Sequence, residues 1–258
     1  MRVTMLGCGG SFGVPLIGGH WGACDPANPK NRRRRVSILV EEGGTTLLVD
    51  TGPDMREQLL DAGVTKVDAV LYTHAHADHS HGLNDLRALA YHMGRPIDIY
   101  GSQATLDDLT KSFAYAFRTD AHAVYKRIVV AHRIDGPLRL GAIDVVPFEQ
   151  DHGFGFKTLG FRFGAMAYST DVAELDEAAF AALEGVETWI VDCLRYEPHP
   201  THSHFERTMG WIERVRPKRA VLTHMNQALD YEELRGRCPP GVEPGYDGLV
   251  VEIPEIFR

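Results

Sequence analysis

Thr73-His74-Ala75-His76-Ala77-Asp78-His79-Ser80-His81-Gly82 is the stretch from which the rest of this chain is interpreted. It follows Val67–Tyr72, which is apolar apart from Asp68 and has the character of a buried strand. In the extended part of the stretch His74 and His76 are two residues apart, so both side chains can point to one face. Asp78 and His79 fall where the chain tightens towards a helix and can aim at a neighbouring point. Imidazole and carboxylate donors suit zinc, manganese or iron, and two adjacent ligand groups suit a pair of ions.

A pair of ions needs ligands from elsewhere, and the chain supplies them in similar settings. His152 follows a strand expected over Ile143–Phe148, Asp171 follows Ala165–Tyr168, and His224 ends Arg219–Thr223. Strand ends on one edge of a sheet converge in space, which is where α/β sites form. Taken singly, His152 and His224 read as loop histidines, and Asp171 reads as the cap of a helix expected over Ala173–Leu183. Taken with the His74–His79 cluster, they read as metal ligands.

Working outward, further strands are expected at Arg2–Leu6, Val36–Val40, Thr45–Val49, Ile97–Tyr100, Thr158–Phe163 and Thr188–Asp192. Helices are expected at Asp54–Ala62, Asn84–His92, Thr105–Phe117 and Phe205–Val215, the last opened by a capping box, Ser203-x-x-Glu206. Gly7-Cys8-Gly9-Gly10-Ser11-Phe12-Gly13-Val14-Pro15 is too rich in glycine for a helix, and residues 16–35 read as a long loop. No repeat or linker divides the chain, so residues 1–258 read as one α/β domain with two sheets between helices.

Composition narrows the partners. The net charge is −8 and the only dense basic run is Arg32–Arg35, which disfavours nucleic acid or an anionic membrane as partner. No apolar run is long enough to cross a bilayer, and Met1–Leu6 lacks the features of a signal peptide. Cys8, Cys24, Cys193 and Cys238 form no CxxC pair and read as reduced thiols in a cytoplasmic protein. Composition leaves the oligomeric state, including a homodimer, open.

The pattern HxHxDHxxG, a distant histidine, an aspartate after a strand and a late histidine resembles the metallo-β-lactamase superfamily along nearly the whole chain. The resemblance implies an αββα four-layer sandwich. It implies that His74, His76 and His152 hold one divalent ion, that Asp78, His79 and His224 hold another, and that Asp171 bridges them. Gly7–Pro15, Arg33-x-Arg35-x-Ser37, Pro200-Thr201-His202 and Leu222-Thr223-His224 are similar to the phosphoribosyl 1,2-cyclic phosphate phosphodiesterases, relatives of the tRNA 3′-end processing ribonucleases. That branch often carries a structural zinc on three cysteines and a histidine. Here only Cys24 matches, with Gly19, Trp21 and Gln227 at the other positions, so this zinc is not expected.

Two ions, zinc or manganese, about 3.5–4 Å apart would activate water and offset the negative charge of a phosphodiester. His202, before a helix, is the candidate acid for the leaving oxygen, with His199 and His204 as competitors. His204, at the helix start, reads as solvated. Asp78 is the second catalytic candidate. Arg33 and Arg35 are candidates for clamping phosphate, although they also read as a solvated basic loop, and Ser11 lies in a glycine-rich turn that can offer backbone N–H groups. His20, His81, His92, His122 and His132 read as surface or supporting residues. The expected activity is hydrolysis of a small anionic phosphodiester, a cyclic ribose phosphate or a nucleotide-like one. The alternatives are a tRNA-processing ribonuclease, a thioester or lactam hydrolase, and a non-catalytic binding protein of cofactor biosynthesis on the same fold.

Overall fold

The computed structural model describes residues 1–118 and 126–254. In chain order the first half comprises β1 (Arg2–Gly7), β2 (Ser37–Glu42), β3 (Thr45–Val49), α1 (Met55–Asp61), β4 (Ala69–Leu71), α2 (Ala77–Ser80), α3 (Leu86–Met93), β5 (Ile97–Gly101), α4 (Gln103–Ser112) and β6 (Val129–Arg133). The second half comprises β7 (Leu138–Leu140), β8 (Ile143–Asp151), β9 (Lys157–Phe163), β10 (Met166–Ser169), α5 (Glu177–Leu183), β11 (Thr188–Asp192), α6 (Phe205–Val215), β12 (Arg219–Thr223), α7 (Tyr231–Arg237), β13 (Val242–Pro244) and β14 (Val250–Glu252). Two seven-stranded sheets result, in the orders β14-β1-β2-β3-β4-β5-β6 and β13-β12-β11-β10-β9-β8-β7.

Each sheet is half antiparallel and half parallel. β3, β4, β5 and β6 run parallel in the first, and β10, β11, β12 and β13 in the second. The alternation of side chains along the strands separates the layers. Leu47 and Val49 of β3 join the core between the sheets, with Phe161, Phe163, Ile190 and Val221 of the second sheet. Leu48 points the other way, into a cluster with Met55 and Leu59 of α1 and with Leu86 of α3. Strands buried on both faces are apolar without a break, and each fully buried aliphatic side chain contributes roughly 1.5–3 kcal/mol. The architecture is the αββα sandwich of the metallo-β-lactamase fold. Among the described residues no helix is long and apolar enough to cross a membrane.

The structure corrects several local expectations. The helix after Asp171 begins at Glu177, and its cap is Asp176, whose side chain accepts from Ala179 N. Asp171 is therefore not a helix cap. The Ser203–Glu206 capping box does not form: His204 occupies the cap position without a side-chain bond, and the Ser203 hydroxyl pairs with Thr208 Oγ1 at 2.7 Å. His204 itself is buried, not solvated. β6 and β7 were not anticipated because they carry His132, Arg133 and Arg139 on half-exposed edges, where no clean apolar run survives. His122 lies outside the described residues.

Candidate metal centre

The site lies where the parallel strands of both sheets end. β3 runs out at Asp50, β4 leads into His74–His79, β10 into Asp171, β11 into Asp192 and β12 into His224. Asp50, Asp171 and His224 take left-handed backbone conformations, with φ of 63°, 53° and 57°. Such turns cost free energy for residues other than glycine and are tolerated where they aim a side chain. Here each one turns the chain off its strand within two residues of the last paired position.

The glycine that closes the histidine stretch has a packing reason. A Cβ on Gly82 would meet the carbonyl oxygen of Gly52, and one on Gly52 would meet that of Asp78. The two turns lie backbone on backbone, joined by Thr51 N to His79 O and Gly82 N to Thr51 O, both 2.7 Å. The Asp50-Thr51-Gly52 turn thus clamps α2 against the end of β4.

Four overlapping groups of possible ligands meet in this space, two of which draw in His202, with His152 and Asp171 or with Asp192 and His224, and the other two share no residue. His74, His76 and His152 form one, and Asp78, His79, Asp171 and His224 form the other, with the ligand atoms of each group within 4.8 Å of one another. Asp171 divides its oxygens between them. Its Oδ1 lies 3.9 Å from His74 Nε2 and 3.8 Å from His152 Nε2. Its Oδ2 lies 3.1 Å from His79 Nε2 and 3.4 Å from His224 Nε2. Asp78 Oδ2 completes the second group at 3.3 Å from His79 Nε2 and 3.7 Å from His224 Nε2. The Nε2 atoms of His74, His79 and His224 are buried and make no hydrogen bond. Buried, unsatisfied imidazole nitrogens pointing at a shared centre are costly unless something binds them, so these residues fit divalent ions.

The far sides of the ligands are anchored, which is what fixes ring orientation at metal sites. Asp50 Oδ2 takes His79 Nδ1 at 2.8 Å and the Thr73 hydroxyl at 2.8 Å. His152 Nδ1 donates to Thr201 O at 2.6 Å. Thr170 Oγ1 donates to Asp171 Oδ2 at 2.6 Å. His76 is the exposed member, and its ring stacks on Phe156 with centroids 4.9 Å apart.

The electrostatics differ between the groups. Burial, and then the charge of His79, pushes His74 well below the ordinary histidine value, and burial likewise lowers His152. Burial opposes a proton on His79 too, but Asp171, Asp78 and Asp50 together outweigh it and hold its pKa well above the usual range. The same balance, led by Asp171 against burial, lifts His224 to about 9. Asp171 and Asp78 stay well below the carboxylate range despite their burial, because His224 and His79 oppose it in the first and His79 chiefly in the second.

His202 is buried beside the second group, its ring stacked on His224 at 4.5 Å. Its Nδ1 meets Asp192 Oδ2 at 3.2 Å and lies 3.9 Å from Asp171 Oδ1. With Nδ1 engaged on Asp192, Nε2 is the nitrogen left for another partner. His199 stands further out, its Nδ1 accepting from Thr201 N at 3.3 Å. Ser11 lines a cleft of about 410 Å³ that His202 also lines.

One expected substrate contact, Arg33, is not available. Arg33 is neither solvated nor free: it is 1% exposed, and its guanidinium donates to Leu229 O at 2.7 Å, Asn226 O at 3.1 Å and Asn31 Oδ1 at 3.3 Å. It ties the first long loop to the segment after His224 and has no face for phosphate. Arg35 is half-buried, and its Nε pairs with Asp54 at 2.9 Å. Cys24 Sγ faces the carbonyl of Leu229 at 3.4 Å and Arg33 Nη1 at 3.8 Å.

Sequence reasoning passed over Asp50 and Asp192. Both end apolar strands, as Asp171 does, and that position was the signal that could have found them. Asp192 is fully buried; its Oδ2 serves His202 and Val172 N, and its Oδ1 lies 4.0 Å from His224 Nδ1.

The sandwich, with histidines and carboxylates gathered at its strand ends and one carboxylate facing both groups, defines a class. The Beta-lactamase superfamily domain matches residues 45–225, and the chain belongs to this superfamily. Within it, the chain is 35% identical to a structure described as a new diphosphatase from the PhnP family, with a TM-score of 0.90 and 98% of each chain covered. It is 33% identical over 259 residues to a Porphyromonas gingivalis protein named octanoyltransferase, covering 99% of this chain and 52% of that one. It is 32% identical over 133 residues to a ribonuclease Z of Methanopyrus kandleri, covering 49% of this chain and 43% of that one. The chain thus matches only about half the length of these two curated relatives.

Proposed function

We propose that the chain is a two-metal phosphodiesterase that opens a small cyclic ribose phosphate or a nucleotide-like diester, with His202 as general acid. The observation that carries this reading is the placement of His202. It sits beside Asp171, outside the two groups assigned to the ions, with Nδ1 on Asp192 and Nε2 unengaged by that pair. The similarity to a diphosphatase of the PhnP family supports a phosphoryl substrate.

His74, His76 and His152 would hold one ion, Asp78, His79 and His224 the other, and Asp171 both. Bound divalent ions would supply Lewis acidity for the phosphoryl oxygens and bring the pKa of a water to about 7. The protein's own part is to place groups on either side of phosphorus. Asp78, ionised between His79 and His224, is positioned to orient the attacking water and take its proton. A P–O bond forms to the water oxygen, the P–O bond to the ribose oxygen breaks, and His202 Nε2 delivers a proton to that oxygen. Asp192 keeps the His202 ring in the orientation this requires and stabilises its charged form. The products are a phosphomonoester and a free hydroxyl.

A second reading, cleavage of an acyl thioester, is favoured only by the likeness to the octanoyltransferase, nearly half of which lies outside the match. Protein loaded with zinc or manganese and given bis-p-nitrophenyl phosphate, a ribose cyclic phosphate, a tRNA precursor, an octanoyl thioester and a β-lactam separates the alternatives. The expected result is diester cleavage, best on the ribose cyclic phosphate. Thioester turnover without diester cleavage would replace the assignment.

A further inference from the structure

The three imidazoles of the first group are not held alike. His74 Nδ1 meets the Thr73 hydroxyl at 3.0 Å, and His152 Nδ1 donates to Thr201 O at 2.6 Å. His76 is exposed. Among the described residues its hydrogen bonds all end on its backbone carbonyl, from Ser80 Oγ at 2.9 Å and His79 N at 3.0 Å. Its ring instead lies flat on that of Phe156, with centroids 4.9 Å apart and planes 8° from parallel. The same phenyl ring meets His74 and His152 steeply, each at 5.9 Å, with planes at 73° and 64°. One aromatic side chain thus faces all three imidazoles and stacks on the one that no hydrogen bond holds.

Phe156 is placed by its backbone. It closes the turn between β8 and β9, where Phe156 N donates to Gly153 O at 3.0 Å and Phe156 O accepts from His152 N at 2.8 Å. Gly153 N donates to Asp151 Oδ1 at 2.6 Å. A Cβ on Gly153 would run into Pro200 O, so the turn lies directly on the segment that supplies Thr201 O to His152. Just beyond, Leu159 N donates to Thr73 O at 3.0 Å and ties β9 to the residue before His74. The phenyl ring is therefore a fixed platform. The imidazole of His76, without it, would be free to change rotamer in water.

We propose that Phe156 is the positioning residue for His76: its stacking holds the imidazole in the orientation that an ion of the first group requires. It does there what hydrogen bonds do for His74 and His152. A mobile ligand gives up its rotamer freedom when it binds an ion, and a ring already stacked has given it up beforehand. The effect falls on the first ion alone. It rests on the assignment of His74, His76 and His152 to one ion and is independent of what the enzyme hydrolyses. Loss of a partner that orients a ligand weakens metal binding by about 10–100-fold, and a stacked ring belongs at the low end of that range.

Zinc competition against a chromophoric chelator, on the full chain, reads this without any turnover. Phe156→Ala is expected to weaken one ion about tenfold and leave the other at wild-type affinity. Phe156→Tyr keeps a ring and should bind both ions as the wild type does. Phe156→Leu fills the space without a ring and should behave as Phe156→Ala. At a position 39% exposed none of these changes threatens folding. A cycle with His76→Ala shows whether the effect runs through that ligand. Adding Phe156→Ala to His76→Ala should weaken zinc binding no further, whereas additive losses would show that Phe156 acts elsewhere. Wild-type affinity in Phe156→Ala, a loss shared by both ions, or Phe156→Leu matching Phe156→Tyr likewise overturns the proposal. If His76→Ala itself holds both ions as tightly as the wild type, the ligand assignment falls and the role of Phe156 falls with it.

Discussion

His74, His76 and His152 meet without a carboxylate of their own, whereas His79 and His224 share their space with Asp78 and Asp171. In the first group burial outweighs the one carboxylate that faces it, Asp171, and His74 and His152 are pushed towards the neutral form. In the second the same burial is outweighed by carboxylates, and His79 and His224 are pulled towards the charged form. Burial alone therefore does not set the state of a buried imidazole; the number of carboxylates facing it does. The difference also divides the work. The all-imidazole group has an exposed member, His76, and faces the surface. The mixed group is the more buried one, and its Asp171 also faces the first group.

If that division is right, the largest effect comes from the one residue that faces both groups. Asp171→Ala is expected to lower metal content at both positions and to reduce diesterase activity below detection, whereas His81→Ala should change neither. Elemental analysis of the two variants, beside the wild type with two ions per chain, checks this. Retention of both ions by Asp171→Ala would mean that the groups do not depend on a shared carboxylate.

His202 lies against both groups yet belongs to neither, so its loss should separate chemistry from metal binding. His202→Ala is expected to lower kcat on a ribose cyclic phosphate by ~10²–10⁴-fold. It should largely spare a p-nitrophenyl diester, because p-nitrophenolate leaves without a proton. Metal content should not change. Metal lost from His202→Ala would make the residue a ligand, and equal losses on both substrates would make it a positioning residue.

A smaller effect is expected behind the second group. Asp50 touches His79 alone among the ligands, at 2.8 Å. Asp50→Asn should weaken one ion by about 10–100-fold and leave the other at wild-type affinity. Competition against a chelator, followed by the metal remaining on the protein, reads the two sites separately. A loss shared equally by both ions would show that Asp50 supports the whole centre.

The two groups were not equally legible in the sequence. His74, His76, Asp78 and His79 are compressed into one motif, where spacing and a strand-to-helix setting carry the signal. The rest of the centre is assembled by topology, from the ends of β8, β10 and β12, and those ligands were reached by the strand-end argument and by resemblance. The same argument would have reached Asp50 and Asp192, but a carboxylate after a strand has many uses, and only the structure shows a histidine nitrogen waiting for each. Arg33 misled for a related reason. An arginine in a loop looks solvated until the carbonyls of residues almost two hundred positions away are seen around it. The strand at Thr45–Val49 and the helix at Phe205–Val215 were read to the residue, whereas the helix expected over Thr105–Phe117 runs over Gln103–Ser112. β7, β13 and β14 are three residues long and, unlike β4, lie in no longer apolar run that would mark them.

The smallest prediction asks whether the rule drawn from the centre also holds far from it. Asp247 is largely buried, like Asp171, but faces a single cation: Arg34, which it meets at 3.2 Å and which is shared with Asp61. It also accepts from Cys8 N at 3.1 Å and Arg34 N at 2.8 Å. Burial outweighs these contacts, and its pKa is pushed up to about 6. An unfolded aspartate titrates near ~3.9. Between these values the folded chain holds a proton that the unfolded chain has lost, so stability from this group is complete below the lower value and falls as pH rises through about 6. Two pKa units amount to about 3 kcal/mol, an upper bound for a side chain that is not wholly out of water. Asp247→Asn cannot titrate and should lack this slope. Urea unfolding of the wild type and the variant at pH 5 and pH 7 isolates it, because titrations common to both, including those of the ligands, cancel in the difference. The wild type should lose ground to the variant as pH rises across that interval. A difference that stays flat, or one that moves the other way, would show that the backbone donors and Arg34 outweigh burial at Asp247 as the imidazoles do at Asp171.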